Sequence, residues 1–179
     1  FQRLGQPRQM VIANHPSLID VVVLIAFIPE ANCVVKESLW HNIFTRSAVR
    51  MAGYISNNAS MDMFDEAVQV LQEGQTLIIF PEGTRTEPDT MPKFHRGATA
   101  IALRGAQKIT PVIIQVTPTT LTKAEPWYNI PSRRPHFSFS VGDDIDPQSF
   151  IGNRSAPIAS RKLDAYIHMY YAQELTKNE

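Results

Sequence analysis

Short runs of aliphatic and β-branched residues recur at 9–13, 32–36, 76–80 and 109–116. Each is bounded by turn-forming or charged residues, the pattern of strands buried on both faces. Between them, apolar positions fall at helical spacing over 18–27, 37–51 and 60–72, and Gly74 stands where the third of these helices must stop. Residues 98–104 continue as another helix, and 135–141 alternate polar and apolar like a further strand. Over 159–175, Leu163, Tyr166, Ile167 and Tyr170 share one side of a helix that packs on the body. Strands alternating with helices predict an α/β fold, a mostly parallel sheet flanked by helices. Residues 117–134 hold three prolines and no period, which predicts a long loop.

Composition narrows this to one domain over residues 1–179, whose predicted strands fall within a core of about 9–141. The 179 residues are 44% hydrophobic and 19% charged, enough for a sizeable core. The longest apolar stretch, 18–29, is too short to span a bilayer and carries Asp20. Because the chain starts at Phe1, the expectation is that an N-terminal membrane anchor precedes these residues. A single cysteine, Cys33, excludes an internal disulfide framework and fits a cytoplasmic setting, and no Cys and His cluster suggests a metal. The formal net charge is zero, yet 90–142 carries seven basic residues against the one acid Glu125, so this half attracts anions. Nucleic acid is not the expected partner, since the chain has no recognised nucleic-acid motif.

Two clusters carry candidate chemistry, and both follow predicted strands, where α/β sheets gather their working groups. The first is Asn14-His15-Pro16-Ser17-Leu18-Ile19-Asp20. On a regular helix His15 and Asp20 would point about 140° apart, so His15 must lie before the helix. Pro16 keeps His15 out of the α region, in a loop that can fold back over the first turn. There Asp20 can hold one ring nitrogen and leave the other free to take a proton from a hydroxyl or thiol. The alternative is structural: Ser17 as N-cap and Asp20 as the acid of a capping box. The second cluster, Phe80-Pro81-Glu82-Gly83-Thr84-Arg85, is an anion-binding turn with a guanidinium fit for bidentate phosphate contact, or else Arg85 pairs with Glu82 or Glu87. The chain has no G-x-S-x-G elbow, and Cys33 sits in an apolar run, so direct attack by a bound acceptor is expected rather than a protein nucleophile.

Taken together, in this order and spacing, the two clusters resemble the glycerolipid acyltransferase family, which includes the lysophosphatidate acyltransferases. Lys36 resembles a family lysine and Thr110-Pro111-Val112-Ile113 the strand closing the family's motif set. The resemblance implies a glycerol-phosphate-acyltransferase-like fold without a cofactor. It also implies His15 as general base, Asp20 as its orienter, and Lys36, Asn58, Glu82, Gly83, Thr84 and Arg85 as acceptor-binding residues. The Gly83 N–H is expected to stabilise the oxyanion formed on a thioester.

One block departs from the family, which has a glycine, apolar residues, then an acid and an arginine. Here it reads Gly53-Tyr54-Ile55-Ser56-Asn57-Asn58, a neutral pair in place of a charged clamp. The acceptor implied is a lysophospholipid such as 1-acylglycerol-3-phosphate. The alternatives are a non-phosphorylated lipid alcohol or polyene-type acceptor, a hydrolase, or a non-catalytic lipid-binding protein. The donor is an acyl carrier protein or coenzyme A thioester. Trp127, Tyr128, Lys123, Arg133 and Arg134 pair interface-seeking rings with cations, which predicts peripheral contact with the cytoplasmic face of a membrane.

Overall fold

The computed structural model describes residues 2–177 except 29, 42, 44, 45, 59, 88, 89, 124, 127 and 130. Six strands, β1 (Gln9–Ala13), β2 (Ala31–Lys36), β3 (Ile55–Asn57), β4 (Thr76–Ile79), β5 (Lys108–Thr117) and β6 (His136–Val141), form one sheet in the order β3-β2-β4-β1-β5-β6. Strands β1 to β5 run parallel and β6 closes one edge antiparallel. Because the five are parallel, the segments after Ala13, Lys36, Asn57, Ile79 and Thr117 all leave from the same edge of the sheet.

Burial on both faces explains why the inner strands read as continuous apolar runs. In β1, Met10 and Ile12 face the helices α4 (Met61–Gln72), α5 (Gly97–Gly105) and α6 (Ala156–Thr176), while Val11 and Ala13 face α1 (Asp20–Phe27) and the Val49 side chain. Helix α4 buries Met63, Ala67, Val70 and Leu71 along one stripe, and its N-cap Ser60 accepts from the Met63 N–H at 3.2 Å. Gly74, at φ +92°, turns the chain out of α4 in a conformation that favours glycine.

The predicted helix over 37–51 is instead two short ones, α2 (Glu37–His41) and α3 (Arg46–Met51). Strand β3 was hidden in the motif block that follows, because three residues are too few for a period. In α6 the buried line is Ala159, Leu163, Ile167 and Tyr171, at i+4 steps, so Tyr171 takes the place expected for Tyr170, and Tyr166 stays exposed. Among the described residues no helix is long and apolar enough to cross a membrane.

Tyr171 also ties α6 to the sheet. Its fully buried hydroxyl donates to the Ile12 carbonyl of β1 at 2.6 Å and lies 3.3 Å from the Val112 carbonyl of β5. Tyr171→Phe should therefore cost about 1–3 kcal/mol, lowering Tm by roughly 2–4 °C per kcal/mol in a thermal melt. An unchanged Tm would mean the Ile12 carbonyl does not depend on the tyrosine.

Candidate active site

Asn14 fixes the start of the site. Its amide makes a two-point bond to Ile114 of β5, donating to the carbonyl at 2.8 Å and accepting from the N–H at 2.7 Å. The chain therefore leaves β1 in one direction, and His15 follows in irregular backbone, as Pro16 requires.

Helix α1 begins only at Asp20, one turn after Ser17. His15 Nδ1 lies 3.1 Å from Asp20 Oδ2, and the Ser17 N–H donates to the same oxygen at 2.7 Å. The sequence left a catalytic and a structural role for Asp20 as alternatives, and one oxygen makes the contact that each would need. The other half of the capping box is absent, because Ser17 Oγ has no hydrogen-bond partner among the described residues. An ionised Asp20 accepts from Nδ1–H and leaves the lone pair on Nε2. Asp20 is fully buried and the His15 side chain is 14% exposed, its ring against Phe80 with centroids 4.4 Å apart. Burial pushes the Asp20 carboxyl above its ordinary range, while the bonds from His15 and Ser17 pull it back.

The Glu82 turn does different work from that expected of it. Gly83, at φ +65°, closes the turn by donating its N–H to the Phe80 carbonyl at 3.0 Å, so that N–H is already committed and is not an oxyanion donor. Glu82 is 7% exposed, and its Oε1 accepts from the His15 backbone N–H at 2.9 Å and from the Thr86 hydroxyl at 2.7 Å. It holds the His15 backbone rather than standing open to an acceptor. Burial raises its pKa too, opposed by those two hydrogen bonds. The Thr86 N–H in turn donates to the His15 carbonyl at 2.7 Å.

Arg85 is half-buried and forms neither expected ion pair among the described residues. Its Nη1 donates to the carbonyls of Leu121 and Thr122, both at 2.8 Å, and Leu121 also accepts from the Leu18 N–H at 3.1 Å. Arg85 thus ties the long loop to the start of α1. Glu87 meets Lys123 instead, at 3.5 Å.

Thr84 is exposed on the turn. Lys36 is exposed at the end of β2, two strands from β1, hence on the order of 10 Å from the His15 loop. It shares the edge with His15 but does not meet it. Asn58 spends its Oδ1 on Ser60, accepting from the backbone N–H at 3.1 Å and the hydroxyl at 2.7 Å. Its neighbour Asn57 is the one beside the turn: a Cβ at Gly83 would lie 4.0 Å from the Asn57 amide nitrogen and 3.7 Å from the His95 ring. Sequence reasoning missed His95 and Thr86. For Thr86 the signal was a hydroxyl four residues after Glu82, which nothing in the sequence distinguishes from any surface threonine. Cys33 is buried and its thiol pushed up to about 12, so it offers no thiolate nucleophile.

With the fold and this geometry in place, comparison with known proteins gives a consistent result. The Acyltransferase family matches residues 2–115, well over half of the chain. The 1-acyl-sn-glycerol-3-phosphate acyltransferase of Cocos nucifera is 29% identical over 62% of the chain and 38% of its own length. The protein of that name from Helicobacter pylori is 28% identical over 59% and 48%, and that from Saccharomyces cerevisiae 30% identical over 68% and 43%. The chain thus spans less than half the length of these curated relatives. The crystal structure of the 1-acyl-sn-glycerophosphate (LPA) acyltransferase PlsC from Thermotoga maritima shares the fold, with a TM-score of 0.66 at 24% identity over 95% of this chain and 67% of that one. A buried His-Asp pair at the carboxyl edge of a parallel sheet, and a family match running through both motifs, agree: this chain belongs to the glycerolipid acyltransferase family.

Proposed function

We propose that this protein transfers a fatty acyl group from a thioester, of acyl carrier protein or coenzyme A, to the hydroxyl of a lysophospholipid such as 1-acylglycerol-3-phosphate. The observation that carries this is the His15 Nδ1 contact with buried Asp20, which commits one ring nitrogen and turns the other into a base. The acceptor hydroxyl gives its proton to Nε2 as its oxygen attacks the thioester carbonyl. The tetrahedral intermediate then collapses, expelling the thiolate, which recovers the proton from the imidazolium. Asp20 and Glu82, both buried within reach of His15, stabilise the transient cation. Burial of the one cysteine supports direct transfer without a covalent acyl-enzyme.

The acceptor's phosphate is held from the turn, by the edge of the Arg85 guanidinium not turned to the loop carbonyls, with Lys36 and the exposed Thr84 as further contacts. A second acceptor class, a non-phosphorylated lipid alcohol, is favoured by one observation: the side chain facing Gly83 from β3 is the neutral amide of Asn57, and Asn58 is turned to Ser60. Mass spectrometry of products, with both thioesters offered against lysophosphatidate, other lysophospholipids and neutral alcohols, separates these readings. We expect an acylated product that depends on His15 and falls at least a hundredfold in Asp20→Asn. Free fatty acid alone would point to a hydrolase, and no turnover with any acceptor to a lipid-binding protein.

Access to such substrates is from the cytoplasmic face of a membrane. Leu18, Val22, Ile43 and Met51 expose large apolar side chains on or beside α1 and α3, where Leu18 stands three residues from His15. The exposed Tyr128 and the cations Lys123, Arg133 and Arg134 lie on the loop that Arg85 ties to this region. Trp127, also expected at this surface, lies outside the described residues. Flotation with anionic vesicles should recover the wild type and leave Leu18→Ser/Val22→Ser behind. Equal recovery would contradict docking through α1.

A further inference from the structure

We propose that Thr86 is a positioning residue for His15: with Glu82 it grips the His15 peptide from both sides and so sets where Nε2 stands. The inference rests on the reading of His15 as the base. Thr86 contributes through two groups. Its N–H donates to the His15 carbonyl at 2.7 Å, and its hydroxyl donates to Glu82 Oε1 at 2.7 Å. With its hydrogen given to Glu82, the hydroxyl oxygen keeps a lone pair 3.3 Å from the His15 N–H, which Glu82 Oε1 also accepts at 2.9 Å. The N–H is therefore shared in a three-centre bond, and the two polar groups of the segment at His15 are both taken.

The consequence is geometric. Asp20 fixes Nδ1, Phe80 lies against the ring, and the Thr86–Glu82 clamp fixes the backbone from which the ring hangs. All three come from segments after β1 and β4, adjacent strands whose carboxyl ends share one edge. A base acts only within hydrogen-bond reach of the proton it removes, and a displacement of about 1 Å costs on the order of a hundredfold in rate. Glu82 also acquires its role here. It is sequestered from an acceptor, and its charge is placed by the threonine that shares its oxygen.

The test is steady-state kinetics on Thr86→Val, which keeps the side chain's shape and the backbone bond but removes the hydroxyl, beside Thr86→Ser, which restores it. Thr86→Val should lower kcat by about ten- to a hundredfold with the acceptor KM unchanged, and Thr86→Ser should remain within about twofold of wild type. Combined with Glu82→Gln, its loss should not multiply, because both act on one clamp. Wild-type kcat in Thr86→Val, a loss confined to the acceptor KM, or a Thr86→Ser enzyme as impaired as Thr86→Val would each overturn the proposal. If Thr86→Val does not fold, Thr86→Ala carries the test, since it also removes the hydroxyl and leaves the Glu82 charge: a lower kcat at constant acceptor KM supports the clamp, and wild-type kcat or a loss confined to the acceptor KM overturns it. If His15→Ala keeps wild-type turnover, the base reading falls and the clamp with it. If His15→Ala is inactive while Thr86→Val turns over normally, the clamp alone falls.

Discussion

Burying a carboxylate is costly unless its oxygens are hydrogen-bonded, and the centre of this molecule is organised around two of them, Asp20 and Glu82. Each is hydrogen-bonded through one oxygen to a different part of His15, while Asp20 Oδ1 has no hydrogen-bond partner among the described residues. Asp20 takes the ring and Glu82 takes the backbone N–H, so the histidine is the common partner of two acids that enter from separate loops. The two loops are bonded to each other through the His15 peptide. The loop after β1 needs Glu82 to accept its peptide, and Glu82 needs that peptide to be tolerable in a site 7% exposed.

The sheet makes this meeting inevitable. Five parallel strands send their exits to one edge, and the hydrogen-bonded neighbours β1 and β4 put His15 and Glu82 within one strand spacing, about 4.8 Å, of each other. Lys36, one strand beyond β4, and Asn58, two strands beyond it, fall correspondingly outside the contact network and share the edge without touching His15. The long loop between β5 and β6 is drawn into the same region by Arg85 and Leu18, both of which donate to Leu121. The buried His15–Asp20 pair thus lies between an exposed apolar rim and a cationic loop, the arrangement the proposed transfer to a lysophospholipid requires.

Periodicity carried the strands and most helices, because burial on both faces of β1, β4 and β5 leaves an uninterrupted apolar run that few other structures produce. The His15–Asp20 contact was legible as well, since Pro16 and the five-residue spacing leave a regular helix no way to make it. What stayed hidden has a shared cause. Glu82 to His15 spans 67 residues, Thr86 to His15 71, and Arg85 to Leu121 36, and contacts at that separation leave no local trace. Motif reasoning therefore assigned Glu82 and the Gly83 N–H to substrate when the fold had already used them. The break between α2 and α3 and the three-residue β3 were missed for the opposite reason: each is too short to establish a period.

The account stands on which nitrogen of His15 carries the proton. Long-range nitrogen-proton correlation spectra of the 15N-labelled protein at neutral pH report this directly for each histidine, with His15→Ala assigning the signal. The structure predicts a neutral ring protonated at Nδ1, toward Asp20, with the lone pair on Nε2. A ring protonated at Nε2 would contradict the account, because no nitrogen facing the substrate would then be free to act as a base.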